Sequence, residues 1–370
     1  MREAIIVLTL FVLIHCKIQC KLIGLVLKCT GNGPMADYIY DSNTEKSNAP
    51  WIEKCFEATE LIISNGITSI GNNAFYSCSR LKTISIPDSV TSIGEYAFSQ
   101  CTSLTSIILP NSITEIKPNA FELCTSLASI TLPNSITSIS DYTFAECSNL
   151  LSITIPDSVT SIGESAFSHC TNLTSINIPE SVVDIGASAF SFCSNLSDVM
   201  FSNDSKITII NPATFSNCTS LISINLPNYV ASIEMQAFSN CISLKNIVIT
   251  EKSRLKTIGF NSFLNCYELN SLILPASITS IEQNSFENCY YITNLTLLGK
   301  NKKFTCKKLF NDMFDSSLKS NILHLSINEN ILTLSNCDFT EFVNLKTLTL
   351  ENSLITIINS LFPLGMQNLI

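Results

Sequence analysis

Ten cysteines stand three residues behind a phenylalanine: Phe75/Cys78, Phe98/Cys101, Phe121/Cys124, Phe144/Cys147, Phe167/Cys170, Phe190/Cys193, Phe215/Cys218, Phe238/Cys241, Phe263/Cys266 and Phe286/Cys289. The spacing is 23 residues, apart from two steps of 25. Three chemistries suit thiols placed in this way. A zinc site needs ligands that converge on one point, usually as Cys-x-x-Cys pairs, and no such pair occurs. A disulfide needs Cα atoms about 5 Å apart. Stacked repeats supply that distance, but their thiols point the same way, which makes the bond awkward. A cysteine beside Phe and Leu also packs as a small buried hydrophobe with a weak S–H donor, and the ten are read in that way. Cys55 keeps the 23-residue step before Cys78 and is expected to open this ladder. Cys29 is left as a disulfide candidate with a neighbour in an N-terminal cap.

The elements that must carry these residues follow from counting forward from each Cys. Position +3 is Leu, from Leu81 through Leu269, with Ile292 in the last unit. Positions +6 and +8 are aliphatic, as in Ile84 and Ile86, except for Phe201. They alternate with polar residues, the period of a short strand with one buried face. Pro87, Pro110, Pro133 and their equivalents follow at +9 and end the strand, because proline has no N–H to donate. Two further aliphatics stand at +12 and +15, such as Val90 and Ile93, and Gly94 or Gly163 often comes next. Since Lys117, Ser140 and Glu234 replace that glycine elsewhere, a left-handed backbone is not required there. One such unit cannot bury its apolar positions, whereas stacked units can. The fold expected is an α/β repeat solenoid, with a parallel β-sheet on the concave face and short helical turns or loops on the convex face. The two longer steps place insertions after the strand, near Asn203 to Lys206 and Glu251 to Arg254, where loops tolerate them.

The outward positions of such a sheet, +4, +5 and +7, are the candidate binding surface. They include Thr83, Ser85, Thr105, Ser106, Ser129, Thr131, Ser152, Thr154, Thr174, Ser175 and Asn177. Only Lys82, Asp198 and Lys245 among them are charged, and none is His, Arg or aromatic. Acid–base catalysis needs carboxylates or His brought together, and nucleic-acid binding needs Arg, Lys and aromatics. Neither set is present, so no catalytic residue, cofactor or metal is assigned and nucleic acid is excluded as a partner. What remains is a hydroxyl-rich face, either a soluble ladder without a ligand or a surface for a protein or glycan. His169 and His324 are isolated and are read as surface or turn residues. Asp88 and Asp157, in the repeated Pro-Asp-Ser, are read as a solvated edge in preference to a calcium site.

The template Leu-x-x-Ile-x-Ile-Pro-x-Ser-Val-x-x-Ile-Gly-x-x-Ala-Phe-x-x-Cys resembles the leucine-rich repeat of the BspA-like surface antigens, which have 23-residue units. The segment NAPWIEKCFEATELIISNGITSIGNNAF resembles the way such arrays begin. The resemblance covers residues 50 to 300 and continues weakly to NLKTLTLENSLITIINSLF, residues 344 to 362. It implies a secreted or surface protein that adheres to host cells or matrix proteins and does no catalysis. A structural coat or spacer without a specific ligand is the alternative.

The 370 residues carry a net charge of -9 with scattered acids, and only 14% are charged against 46% hydrophobic, which excludes disorder and a basic phosphate-binding surface. Arg2 and the apolar run Ala4 to Ile14 read as a secretory signal peptide over residues 1–20, too short to span a bilayer. An uncleaved anchor is the alternative, because Leu22 to Leu27 is also apolar. The remaining expectations are a cap over 21–60, the array over 61–300, and degenerate repeats over 301–370 that stop incomplete at the C-terminus. Five Asn-x-Ser/Thr sequons, at Asn172, Asn195, Asn203, Asn217 and Asn294, are glycosylation candidates that fit secretion.

Overall fold

The computed structural model describes residues 18–44, 46–298, 316–328 and 342–351. Residues 1–17, which hold Cys16 and most of the segment 1–20 expected as a signal peptide, and the positions of Cys306, Cys337 and Phe362 lie outside these. The chain divides into two compact units, Met1–Leu173 and Thr174–Ile370.

The first unit opens with a hairpin. Gln19–Ile23 pairs antiparallel with Val26–Thr30, and Gly24 supplies the positive φ of the turn, +62°. Val26–Thr30 then pairs in parallel with Glu60–Ile63, which pairs in parallel with Thr83–Ser85. The hairpin therefore covers the first edge of the parallel stack with a strand of opposite direction. Between them the helix Ile52–Cys55 buries Ile52 and Cys55. Trp51 stacks on Phe75 with ring centroids 5.8 Å apart and donates its indole N–H to the Ala74 carbonyl at 2.8 Å.

Each coil then repeats three segments. The first is the expected strand, as in Ser106–Ile108 paired with Ser129–Thr131. Its inward Ile107 and Ile130 are buried. The second is a two-residue strand at +14 and +15, as in Ser92–Ile93 paired with Glu115–Ile116 and Ser138–Ile139 paired with Ser161–Ile162. This second parallel sheet was not expected from the sequence. The third is the turn around Ala-Phe. Of the short helical turns or loops expected here, the structure forms loops, since among the described residues the only helices are Ile52–Cys55 and Ser316–Asn321.

The reason lies in the backbone. Two residues per coil, five and one before the Cys, hold φ between 51° and 64°, and none of them is glycine. The N–H groups of Asn73, Phe75 and Ser77 then point at the next coil and donate to Glu95, Ala97 and Ser99 at 2.8, 2.9 and 2.8 Å. A left-handed residue costs about 1–2 kcal/mol, and the bonds between coils offset it. A helix would turn those donors inward and leave the coils unstitched. Asn, the non-glycine residue that tolerates this region best, fills eight of the twenty positions, but Leu123 and Phe192 are held there as well.

The second unit repeats the scheme. Ser175–Ile178 pairs with Asp198–Phe201, and Ser223–Asn225 with Asn246–Val248. Ser271–Leu274, Asn294–Leu297, His324–Asn328 and Thr347–Glu351 follow as one parallel sheet. Ile209–Ile210, Ser232–Ile233, Thr257–Ile258 and Ser280–Ile281 form the narrow second sheet.

Both cores are ladders. Phe75, Phe98, Phe121, Phe144 and Phe167 stack at 5.5 to 5.7 Å in the first unit. Phe190, Phe215, Phe238, Phe263 and Phe286 stack at 5.2 to 5.5 Å in the second. The glycine after the second strand is set by close approach and not by φ. A Cβ on Gly94 would lie 2.5 Å from the Asn72 nitrogen and from the Gly71 carbonyl carbon. The serine of Pro-x-Ser closes the corner between coils. Ser89 and Ser112 donate to the Ile67 and Val90 carbonyls, both at 2.7 Å.

Candidate functional site

The cysteines serve the ladder in a specific way. Each Phe carbonyl accepts the N–H of the Cys three residues on, for example Cys78 to Phe75 at 3.2 Å, and has a second lone pair to satisfy. The thiol of the next coil supplies that donor. Cys124, Cys147, Cys241 and Cys289 reach the Phe98, Phe121, Phe215 and Phe263 carbonyls at 3.1 to 3.2 Å. Burial pushes the thiols of Cys124, Cys147 and Cys241 up, to about 12 at Cys124 and Cys241, so these three are poor nucleophiles and poor metal ligands.

One rung differs from the expectation. Cys55, read as the opening thiol of the ladder, forms a disulfide with Cys78, their Cα atoms 5.3 Å apart. The same-direction argument holds between identical coils, but Cys55 ends a helix and approaches Cys78 from another backbone frame. Cys29 pairs with Cys20 across the hairpin at a Cα distance of 4.0 Å. Cys20 is the residue at which the sequence reading ended the leader. The nine other described cysteines are buried and form no disulfide.

The sheet face is built as the alternation requires. Thr83, Ser85, Thr105, Ser106, Ser129, Thr131, Ser152, Thr154, Thr174 and Asn177 are all exposed. In the first unit Ser106, Ser129 and Ser152 stand in register on adjacent coils. In the second, Asn177 stands opposite Met200. The face also carries apolar side chains that the hydroxyl-rich reading passed over. Ile108 is 77% exposed, and Leu151, Met200, Ile222 and Val248 are exposed too. They occupy the same +4 and +7 positions, so the signal was present in the sequence: seven sites where the outward residue is not polar, these five and the half-buried Ala128 and Ile273.

Titratable groups are not gathered on the face. Among the described residues no three His, Cys, Asp or Glu come together as metal ligands would. His324 is on a strand, with Nδ1 2.8 Å from the Thr347 hydroxyl. His169 is exposed at one of the left-handed turn positions. Glu122, a carboxyl raised by burial, accepts a long contact from the Ser99 hydroxyl, 3.4 Å.

Of the sequons, Asn195, Asn203 and Asn294 are exposed. Asn172 and Asn217 are half-buried, with side-chain amides that donate to Asn149 and Ser216 at 3.0 and 2.9 Å.

Residues 51–152, 114–211, 137–255, 200–317 and 307–364 match the family model of the BspA type leucine rich repeat region, in 6 copies. Among solved structures, a leucine-rich repeat protein from Bacteroides ovatus is 21% identical, with 90% of this chain and 98% of that chain covered and a TM-score of 0.51. A leucine rich cell surface protein from Faecalibacterium prausnitzii is 27% identical, with 76% and 93% covered and a TM-score of 0.45. The comparison with curated proteins gives no match.

Proposed function

We propose, from the premise that this chain belongs to the BspA-type leucine-rich repeat family, that it is a secreted or cell-surface binding protein. Its sheet face engages a protein or glycan partner, with a host surface or matrix protein as the class the family favours, and it carries out no catalysis. One observation carries the reading. In each unit the exposed sheet face combines hydroxyls with exposed apolar side chains, Ile108 and Leu151 in the first and Met200, Ile222 and Val248 in the second, a pattern suited to a protein partner and costly to leave in water. The two disulfides of the cap, Cys20–Cys29 and Cys55–Cys78, support an oxidising destination. A leader removed ahead of Cys20 keeps the first of them.

Two experiments test this. An epitope tag inserted in the exposed turn at Ser42–Asn43 reports the location. Protease added to intact expressing cells is expected to remove it; a tag cut only after lysis overturns the surface assignment. For binding, wild type and the variant Ile222→Ser/Val248→Ser are compared on immobilised host-cell and matrix proteins. A saturable signal that is lost in the folded variant supports the sheet face. Binding unchanged in the variant moves the ligand elsewhere.

A further inference from the structure

The two 25-residue steps of the repeat fall in the second unit, on coils separated by one ordinary coil. Their extra residues, around Asn203 to Lys206 and Glu251 to Arg254, wall a cleft of about 490 Å³ with Asn228 and Tyr229 of the intervening coil between them. The cleft lies past the strand ends and is distinct from the sheet face.

Its charge is unlike that of the rest of the molecule. Three of its eight lining residues, Lys206, Lys252 and Arg254, are cationic against two carboxylates, Glu180 and Asp204, a formal balance of +1 in a chain with a net charge of -9. Lys206 is held by Glu180 at 3.2 Å. Among the described residues, neither Lys252 nor Arg254 has a carboxylate within 4.0 Å. The Arg254 guanidinium lies over the Tyr229 ring, 4.3 Å from its centroid. Stacking fixes the guanidinium plane and leaves its N–H edge to grip a planar or tetrahedral anion. The Arg254 backbone is held as well, its N–H donating to the Asn228 carbonyl at 2.9 Å. The Asn228 side chain is positioned by the Thr250 hydroxyl at 2.6 Å. Arg254 and Asn228 are thus anchored and Lys206 is paired, with Lys252 and Asn203 beside them on the cleft wall.

We propose that this cleft binds an acidic saccharide, with Lys252 and Arg254 holding its carboxylate or sulfate groups and the Asn203 and Asn228 amides meeting its hydroxyls. A cleft this open and polar does not suit an apolar small molecule. A nucleic acid would need a series of stacking aromatics, and Tyr229 already carries Arg254 on its ring. The site stands apart from the sheet-face ligand and survives if that reading fails. Asn203 heads a sequon and lines the cleft, so an N-glycan there would fill the space that a free saccharide needs.

The test uses the full chain made in a host that adds no N-glycans, at low ionic strength. Immobilised probes are a sulfated polysaccharide, a carboxylated polysaccharide and neutral dextran, with a 20-nucleotide single-stranded oligonucleotide as competitor. The wild type is expected to bind one or both acidic polysaccharides, which identifies the anion, and not dextran. Lys252→Gln/Arg254→Gln is expected to weaken binding about tenfold or more, the scale of losing charge-assisted contacts. Lys28→Gln/Lys54→Gln, equal in charge change and remote in sequence, is expected to bind as wild type. Lys206→Gln/Lys252→Gln, with two side chains outside any packed core, serves if the Arg254 change unfolds the loop. Equal binding to dextran, tighter binding of the oligonucleotide, less than about a twofold loss in both cleft variants, or an equal loss in the remote variant would overturn the proposal.

Discussion

The thiol ladder predicts a steep loss of stability above pH 9. Cys101, Cys124 and Cys147 in the first unit, and Cys218, Cys241 and Cys266 in the second, are all raised by burial from the ordinary value of 9.0. In the unfolded chain each would ionise near that value. The folded state therefore holds protons that the unfolded state releases, and its stability falls as pH rises between the two. The effect is absent below the unfolded value and grows up to the folded one, about 12 at Cys124 and Cys241. At pH 10 the unfolded chain gains about 1.4 kcal/mol per thiol, RT ln(1 + 10) with the folded thiol still neutral. The three thiols named in each unit together give about 4 kcal/mol, against about 0.2 kcal/mol at pH 8. The assay is urea unfolding at pH 8, 9 and 10 under argon, followed by far-ultraviolet circular dichroism. The midpoint is expected to fall steeply over the last step, and Cys124→Ala should remove about a third of the pH dependence in the first unit. A midpoint that stays level from pH 8 to 10 would refute the burial of the thiols as described.

Other outcomes follow from the same geometry. Replacing Cys55 and Cys78 together by Ser opens a loop of 23 residues and should cost about 3 kcal/mol, read as an earlier unfolding of the first unit by heat. Gly94→Ala places a Cβ 2.5 Å from the Asn72 nitrogen, a backbone atom, and should cost about 1–3 kcal/mol. Lys117→Ala at the same repeat position should be near neutral. In a glycosylating host, Asn203→Gln is expected to remove one glycan by mass. Asn217→Gln should change nothing, because that amide donates to Ser216 from a half-buried left-handed turn.

The one-dimensional information in this chain is of two kinds, and they were not equally legible. Periodicity is local: a residue type that returns every 23 positions must meet its own copy once the coils stack. Hence the strand at Thr83–Ser85, the buried Phe and Leu columns, the exposed hydroxyls from Thr83 to Asn177 and the loop character of the two insertions could all be read from the sequence. What the sequence did not decide depends on direction. Whether Asn73 and Ser77 turn their N–H groups toward the next coil or into a helix is a choice of φ that Leu123 and Phe192 do not announce. Whether Cys55 joins a thiol ladder or a disulfide depends on the angle at which the cap helix meets the first coil. Whether Lys206, Lys252 and Arg254 are scattered or share one cleft depends on an intervening coil that sets two loops side by side. Composition and spacing fixed which residues would be neighbours, because stacking conserves the column. Tertiary structure alone fixed how they face one another, because backbone orientation at the corners leaves no period in the sequence.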